Sequence, residues 1–137
     1  MGRKFGITLA VLSILALTAA VTLAGNAHFV GTPQISTSGN TLTVSGKVAG
    51  LGNIAQINVQ VTADALCVNR GNNNPSAENK TSVAAGGQFP VQNGKADFSV
   101  TGTATFQPNC SPPMRVEFQN IRISIFDAAG NLLLTFP

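Results

Sequence analysis

Tryptophan and tyrosine are absent from this sequence, and histidine occurs once, as His28. Sugar-binding platforms usually expose aromatic rings, and the phenylalanines that remain fall mostly on apolar phases of the chain, so carbohydrate recognition through stacked rings is disfavoured. One histidine and two cysteines cannot supply a zinc site of the usual ligand count. No metal or cofactor is therefore expected. Charge is also scarce, with eight bases against five acids. Two of those bases, Arg3 and Lys4, sit at the extreme N-terminus, and the others, Lys47, Arg70, Lys80, Lys95, Arg115 and Arg122, are scattered. A nucleic-acid surface needs a clustered basic face, and nucleic acid is excluded as an expected partner.

Arg3 and Lys4 precede an apolar run from Phe5 to Leu23, followed by small residues. This is the pattern of a secretory signal. Two cuts fit: after Ala24, with Thr22 and Ala24 as the small pair, or after Ala27, with Gly25 and Ala27. The second is preferred, giving a signal over 1–27 and a domain over 28–137. The alternative is an uncleaved anchor, because the run approaches the roughly 18 residues that span a bilayer. Membrane contact enters only in that case. Otherwise the product is secreted and extracellular, with its net charge reduced to about +1.

The remaining chain, about 110 residues, is the size of one domain with a real core. In an exported chain, Cys67 and Cys110 most simply form one disulfide. It would close a loop of about 44 residues, for which the chain-entropy model gives roughly 4 kcal/mol.

Alternation of apolar and polar residues dominates this domain, and helical periodicity is absent. About seven strands are expected. The first runs near Phe29–Thr37 and turns at Ser38-Gly39-Asn40 into a second, with Leu42, Val44, Gly46 and Val48 on one face. A third puts Ile57, Val59, Val61, Ala63, Ala65 and Cys67 on one face. A strand from Lys95 to Phe106 does the same with Ala96, Phe98, Val100, Gly102, Ala104 and Phe106. Asn93-Gly94 before it is a hairpin signal. A strict two-residue turn would place Pro90 at a ladder position, so either a wider loop or an edge location for Pro90 is expected. From Met114 to Phe126 the phase switches, Val116 and Phe118 keeping one parity and Ile121, Ile123 and Ile125 the other, which predicts a bulge near Gln119 and Asn120. Asp127–Asn131 turns the chain into a last strand. Short alternating strands and one inter-strand disulfide predict an all-β fold, a single immunoglobulin-like antiparallel β-sandwich. The antibody type lacks support, having neither its tryptophan nor its tyrosine here.

The stretches Phe29-Val30-Gly31-Thr32-Pro33, Val44–Asn53 and Thr105-Phe106-Gln107-Pro108-Asn109-Cys110 together resemble a group of small exported, uncharacterised immunoglobulin-like β proteins of soil bacteria, across most of the mature chain. That resemblance implies a secreted sandwich with one disulfide and implies no activity. Members of the group often carry a glycine- and proline-rich loop after the first cysteine. Here the loop is rich in asparagine.

Chemistry is hard to assemble from what remains. The acids Asp64 and Asp97 fall on outward strand positions, Glu117 on a polar phase, Asp127 at a turn and Glu78 in a loop, with no carboxylate pair of the glycosidase kind. His28, near a chain end, is poorly placed as a general base, and serines without a base are surface residues. No catalytic residue is assigned and the chain is read as a non-enzyme. The polar stretch Asn69–Lys80 is the best surface for a partner, through Arg70, Asn72, Asn73, Asn74, Glu78 and Asn79, whose amides and guanidinium offer hydrogen bonds. A solvated connection is the plainer reading of that loop. Asn79-Lys80-Thr81 also matches the N-glycosylation sequon. The expected function is a secreted binding or structural protein with an extracellular protein or polymer as partner. A protease inhibitor presenting loop 69–80 is the alternative, a hydrolase a distant third, and assembly by strand addition at a sheet edge remains open.

Overall fold

The computed structural model describes residues 26–69 and 79–137. Among these described residues eight strands form: β1 His28–Phe29, β2 Gln34–Ser38, β3 Thr41–Ala49, β4 Gln56–Val68, β5 Lys80–Pro90, β6 Ala96–Thr103, β7 Arg115–Phe126 and β8 Leu132–Phe136. β1 and β2 lie along the same edge of β3, pairing with its C-terminal and N-terminal halves. They are one expected strand broken at Gly31–Pro33, where Gly31 has φ +73° and proline offers no N–H. β6 covers the other edge of β3, and the second sheet runs β5–β4–β7–β8.

All pairings are antiparallel, and the two sheets face each other as an immunoglobulin-like sandwich. One strand departs from the constant-domain arrangement. β5 pairs with β4 rather than staying beside β6, so the chain changes sheets between Pro90 and Ala96. The hairpin that makes the change is a two-residue turn. Gln92 and Lys95 exchange backbone hydrogen bonds of 2.8 and 3.0 Å around Asn93 and Gly94, whose φ values of 55° and 76° are those a type I′ turn requires. The ladder ends there, because Val91 N–H already bonds Ala55 C=O at 2.9 Å in the other sheet. The wider loop is thus absent, and the edge location of Pro90 is what accommodates it. By alternation from Val91, the position of Pro90 turns its backbone nitrogen away from β4, where no donor is needed.

The inward faces match the expected phases. Leu42, Val44, Val48, Ile57, Val59, Val61, Ala63, Ala96, Phe98, Val100, Ile123 and Ile125 form one buried cluster. Phe29, Phe89, Phe98 and Phe136 join the sheets edge to face, with ring centroids 5.8 to 6.4 Å apart. The bulge in β7 also appears. Partners step from Thr62↔Arg122 to Asp64↔Gln119, Asn120 takes φ 54°, and its side-chain amide donates to Asp64 Oδ2 at 2.8 Å.

Cys67 and Cys110 are bonded, with Cα atoms 5.8 Å apart. The bridge does not cross the middle of the sandwich. It links the end of β4 to the β6–β7 connection, inside a second small cluster made of Ala65, Cys67, Val83, Ala104 and Phe106. The bond is compatible with an extracellular location.

On the β5–β6 flank the sheets approach closely. A Cβ built on Gly102 would lie 2.7 Å from Val83 Cγ1 and 3.2 Å from Ala85 Cβ. Gly102→Ala should therefore cost roughly 1–3 kcal/mol by overpacking. Urea unfolding checks this, and Val83→Ala should recover part of the loss in the double variant. Additive losses would mean that the two positions do not compete for the same space.

Candidate functional site

The end of the sandwich that carries the disulfide also carries the predicted partner loop. β4 finishes at Val68 and β5 begins at Lys80, with Leu66 and Lys80 in register across the ladder, so the loop leaves and re-enters between adjacent strands. Its predicted contact residues Arg70, Asn72, Asn73, Asn74 and Glu78 lie outside the described residues. Asn79 is half-buried directly before β5, and Asn69 is exposed directly after β4. The loop is thus mounted on two strand ends, one of which is fixed one residue upstream of Val68 by a covalent bond.

Beside that mount lies an open cleft of about 610 Å³ between the β2–β3 turn and the β6–β7 connection. Thr37, Asn40, Thr105, Asn109, Met114 and Arg115 contribute to its walls. Two backbone-level contacts set its width. Asn40 C=O accepts from Ala104 N–H at 2.8 Å, and Asn40 Nδ2 donates to Ala104 C=O at 3.0 Å. One asparagine side chain thereby does for the turn what a further ladder rung would do, and its sequence position after Gly39 signalled only the turn. Met114 N–H bonds Ser111 C=O at 2.9 Å, and Met114 Sδ lies 3.9 Å from Cys67 Sγ. The sulfur of a disulfide has no proton to donate, so that contact is packing against the bridge. The lining mixes amides, hydroxyls and one guanidinium with the apolar disulfide cluster, which suits hydrogen-bonded recognition of a polar chain.

The remaining candidates stay apart. Asp64 is tied to Asn120 on the outer face of the second sheet, and Asp97 is exposed on β6. Glu117 meets Arg115 at 3.4 Å, with both side chains more than a third exposed, a pair worth little. His28 Nδ1 lies 2.8 Å from Asn26 C=O, which can only accept, so that nitrogen carries the proton. Among the described residues no group of three or more His, Cys, Asp or Glu side chains converges to hold a metal ion. Among the described residues further clefts are open depressions as well, including one of about 640 Å³ at the opposite end near Gly52, Asn53 and Lys95, one of about 650 Å³ near Asp64, Lys80 and Asn120, and one of about 400 Å³ near Lys47, Gln92 and Asp97.

Asp127 titrates below the ordinary range of an aspartate. Its carboxylate accepts from Asn131 Nδ2 at 3.0 Å, Asn131 N–H at 2.8 Å and Ala129 N–H at 3.0 Å. The Asn131 side chain contributes most to holding its pKa below the ordinary value, then the Asn131 backbone, against a smaller opposing effect of desolvation. Its role is to close the β7–β8 turn.

Comparison with family models, curated proteins and solved structures finds no match to this chain.

A folded-state pKa below the unfolded value means that the unfolded chain binds the proton more readily. Stability from this contact is full above the unfolded value, near 3.8, and is lost as pH falls through the lower folded value. Urea midpoints measured from pH 6 down to pH 2.5 should fall less for Asp127→Asn than for the wild type. Parallel curves would show that the turn carboxylate contributes nothing to the acid limb.

Proposed function

We propose that this chain is exported and acts outside the cell as a non-enzymatic binding or structural protein. Its recognition surface is the disulfide-bearing end of the sandwich, and its partner an extracellular protein or polymer. The observation that carries this reading is the mount of loop 69–80: adjacent, register-paired strands, one pinned by Cys67–Cys110, beside a polar cleft. Recognition loops are effective when a rigid scaffold holds their ends, because less ordering remains to be done on binding. The resemblance to small exported proteins of soil bacteria points the same way, as does a disulfide in a chain with a basic, then apolar, N-terminus.

A secreted protease inhibitor is the second reading, favoured by the same tether, since an inhibitory loop must be held at its base. The leader belongs to this proposal too. Ala27 packs against the core, and Asn26 C=O accepts from His28, so a cut after Ala24 keeps both contacts whereas a cut after Ala27 removes them. Export with processing should yield an intact mass beginning at Gly25.

The test uses protein recovered from culture medium as bait for components of the same medium. Wild-type protein and a Lys95→Ala variant at the opposite end should retain a common partner. Replacement of Asn72, Asn73 and Asn74 by Ser should reduce capture by about tenfold or more. Equal capture by the loop variant would contradict the assignment of the surface. A captured protease whose activity falls on addition of the protein would select the inhibitor reading.

A further inference from the structure

β5 is an edge strand without the usual protection. It runs eleven residues, Lys80–Pro90, in unbroken register with β4 from Leu66↔Lys80 to Gln56↔Pro90. Because Val91 N–H bonds Ala55 C=O, the odd-numbered residues of β5 direct their backbone groups at β4. The even-numbered ones, Lys80, Ser82, Ala84, Gly86 and Gln88, direct theirs outward, and among the described residues no strand pairs with that side. Natural edges are blunted by proline, bulges, charge or shortness. β2 and β8 have five residues each, β1 and β2 are separated by Gly31–Pro33, and β6 carries Asp97 at its start. β5 has one charge, at its first residue, and one proline, at its last.

The same strand is complementary to itself. About a two-fold axis through Ala84, an antiparallel second β5 sets Lys80 opposite Gln88, Ser82 opposite Gly86 and Ala84 opposite Ala84 of the other copy. All five outward-facing residues then meet a residue with both an N–H and a C=O, no like charges oppose each other, and Pro90 stays outside the paired segment. Shifting the axis one outward pair toward Pro90 sets that proline, which has no donor, opposite Lys80. The side chains around the axis, Ser82, Ala84 and Gly86, are small and exposed, so a second backbone can approach to ladder distance without moving a side chain.

We propose that two copies of this chain pair through β5, antiparallel and in this register, joining their four-stranded sheets into one continuous eight-stranded sheet. The interface is isologous, as two-fold symmetry demands, and lies on a flank separate from the loop-bearing end. Strand pairing alone buries a small area, so the dimer is a weak one, forming at about 10–100 μM.

Ala84 is exposed and sits on the axis, which makes it the position to test. Sedimentation equilibrium of protein recovered from medium should show a reversible monomer–dimer equilibrium for the wild type. Ala84→Lys and Ala84→Glu each place two like charges directly opposite and should weaken association by at least tenfold. An equimolar mixture of the two variants should restore it. A wild type that remains monomeric at several hundred micromolar overturns the proposal. So does a dimer that persists in both variants, or a mixture that associates no better than either variant alone.

Discussion

Gln56–Val68, the longest strand, places its odd-numbered side chains between the two sheets while its backbone bonds β5 along one edge and β7 along the other. Those side chains, Ile57, Val59, Val61, Ala63, Ala65 and Cys67, are all buried. A one-residue slip would exchange them for Asn58, Gln60, Thr62 and Asp64. Register in the second sheet is therefore set by the cost of burying amides and a carboxylate without partners, and the neighbouring strands inherit it. The bulge at Asn120 follows from that constraint. β7 supplies Val116 and Phe118 on one parity and Ile123 and Ile125 on the other, and one extra residue lets both sets face inward against a strand whose own parity never changes.

The two apolar clusters divide the labour along β4. The larger one binds the sheets through branched aliphatic side chains and the phenylalanine contacts. The smaller one surrounds the disulfide at the loop-bearing end, where β6 has already finished and side chains from a connection must fill the gap. There the bridge replaces strand pairing that the topology does not provide. On the proposed reading, rigidity at that end is what the mounted loop uses, and the scarcity of charge leaves hydrogen bonding as its means of contact.

How much of this was legible in advance follows from which interactions are local. The alternation of β3, β4 and β6, the Asn93-Gly94 turn and the parity switch in β7 are patterns of period two or of single turns, and each appeared where expected. The break at Gly31–Pro33 was written in the residues but read as strand, because the break only becomes visible when β3 is there to be paired on both sides of it. The sheet change of β5 was illegible. Asn93-Gly94 specifies a tight hairpin whichever sheet its arms join, and the choice depends on Val91 finding Ala55 across the molecule. The cysteine pairing follows from the count of two, whereas its placement at one end depends on β6 ending at Thr103 rather than at the expected Phe106, which leaves Cys110 well inside the β6–β7 connection. The clamp of Asn40 on Ala104 has no signal at all in a single sequence, since the partners are far apart in the chain.

The main core stands by itself while the bridge rigidifies one end, and native-state hydrogen exchange on a Cys67→Ala/Cys110→Ala variant tests that division directly. Amides of Ile57–Ala63 and Ile123–Ile125 should remain among the most protected, at a level lowered only by the global loss of stability. Those of Ala65–Val68 and of the segment from Ala104 to Phe118 should lose far more and exchange by local opening. Uniform loss of protection along β4 in a single cooperative step, or no preferential loss at the loop-bearing end, would contradict the division.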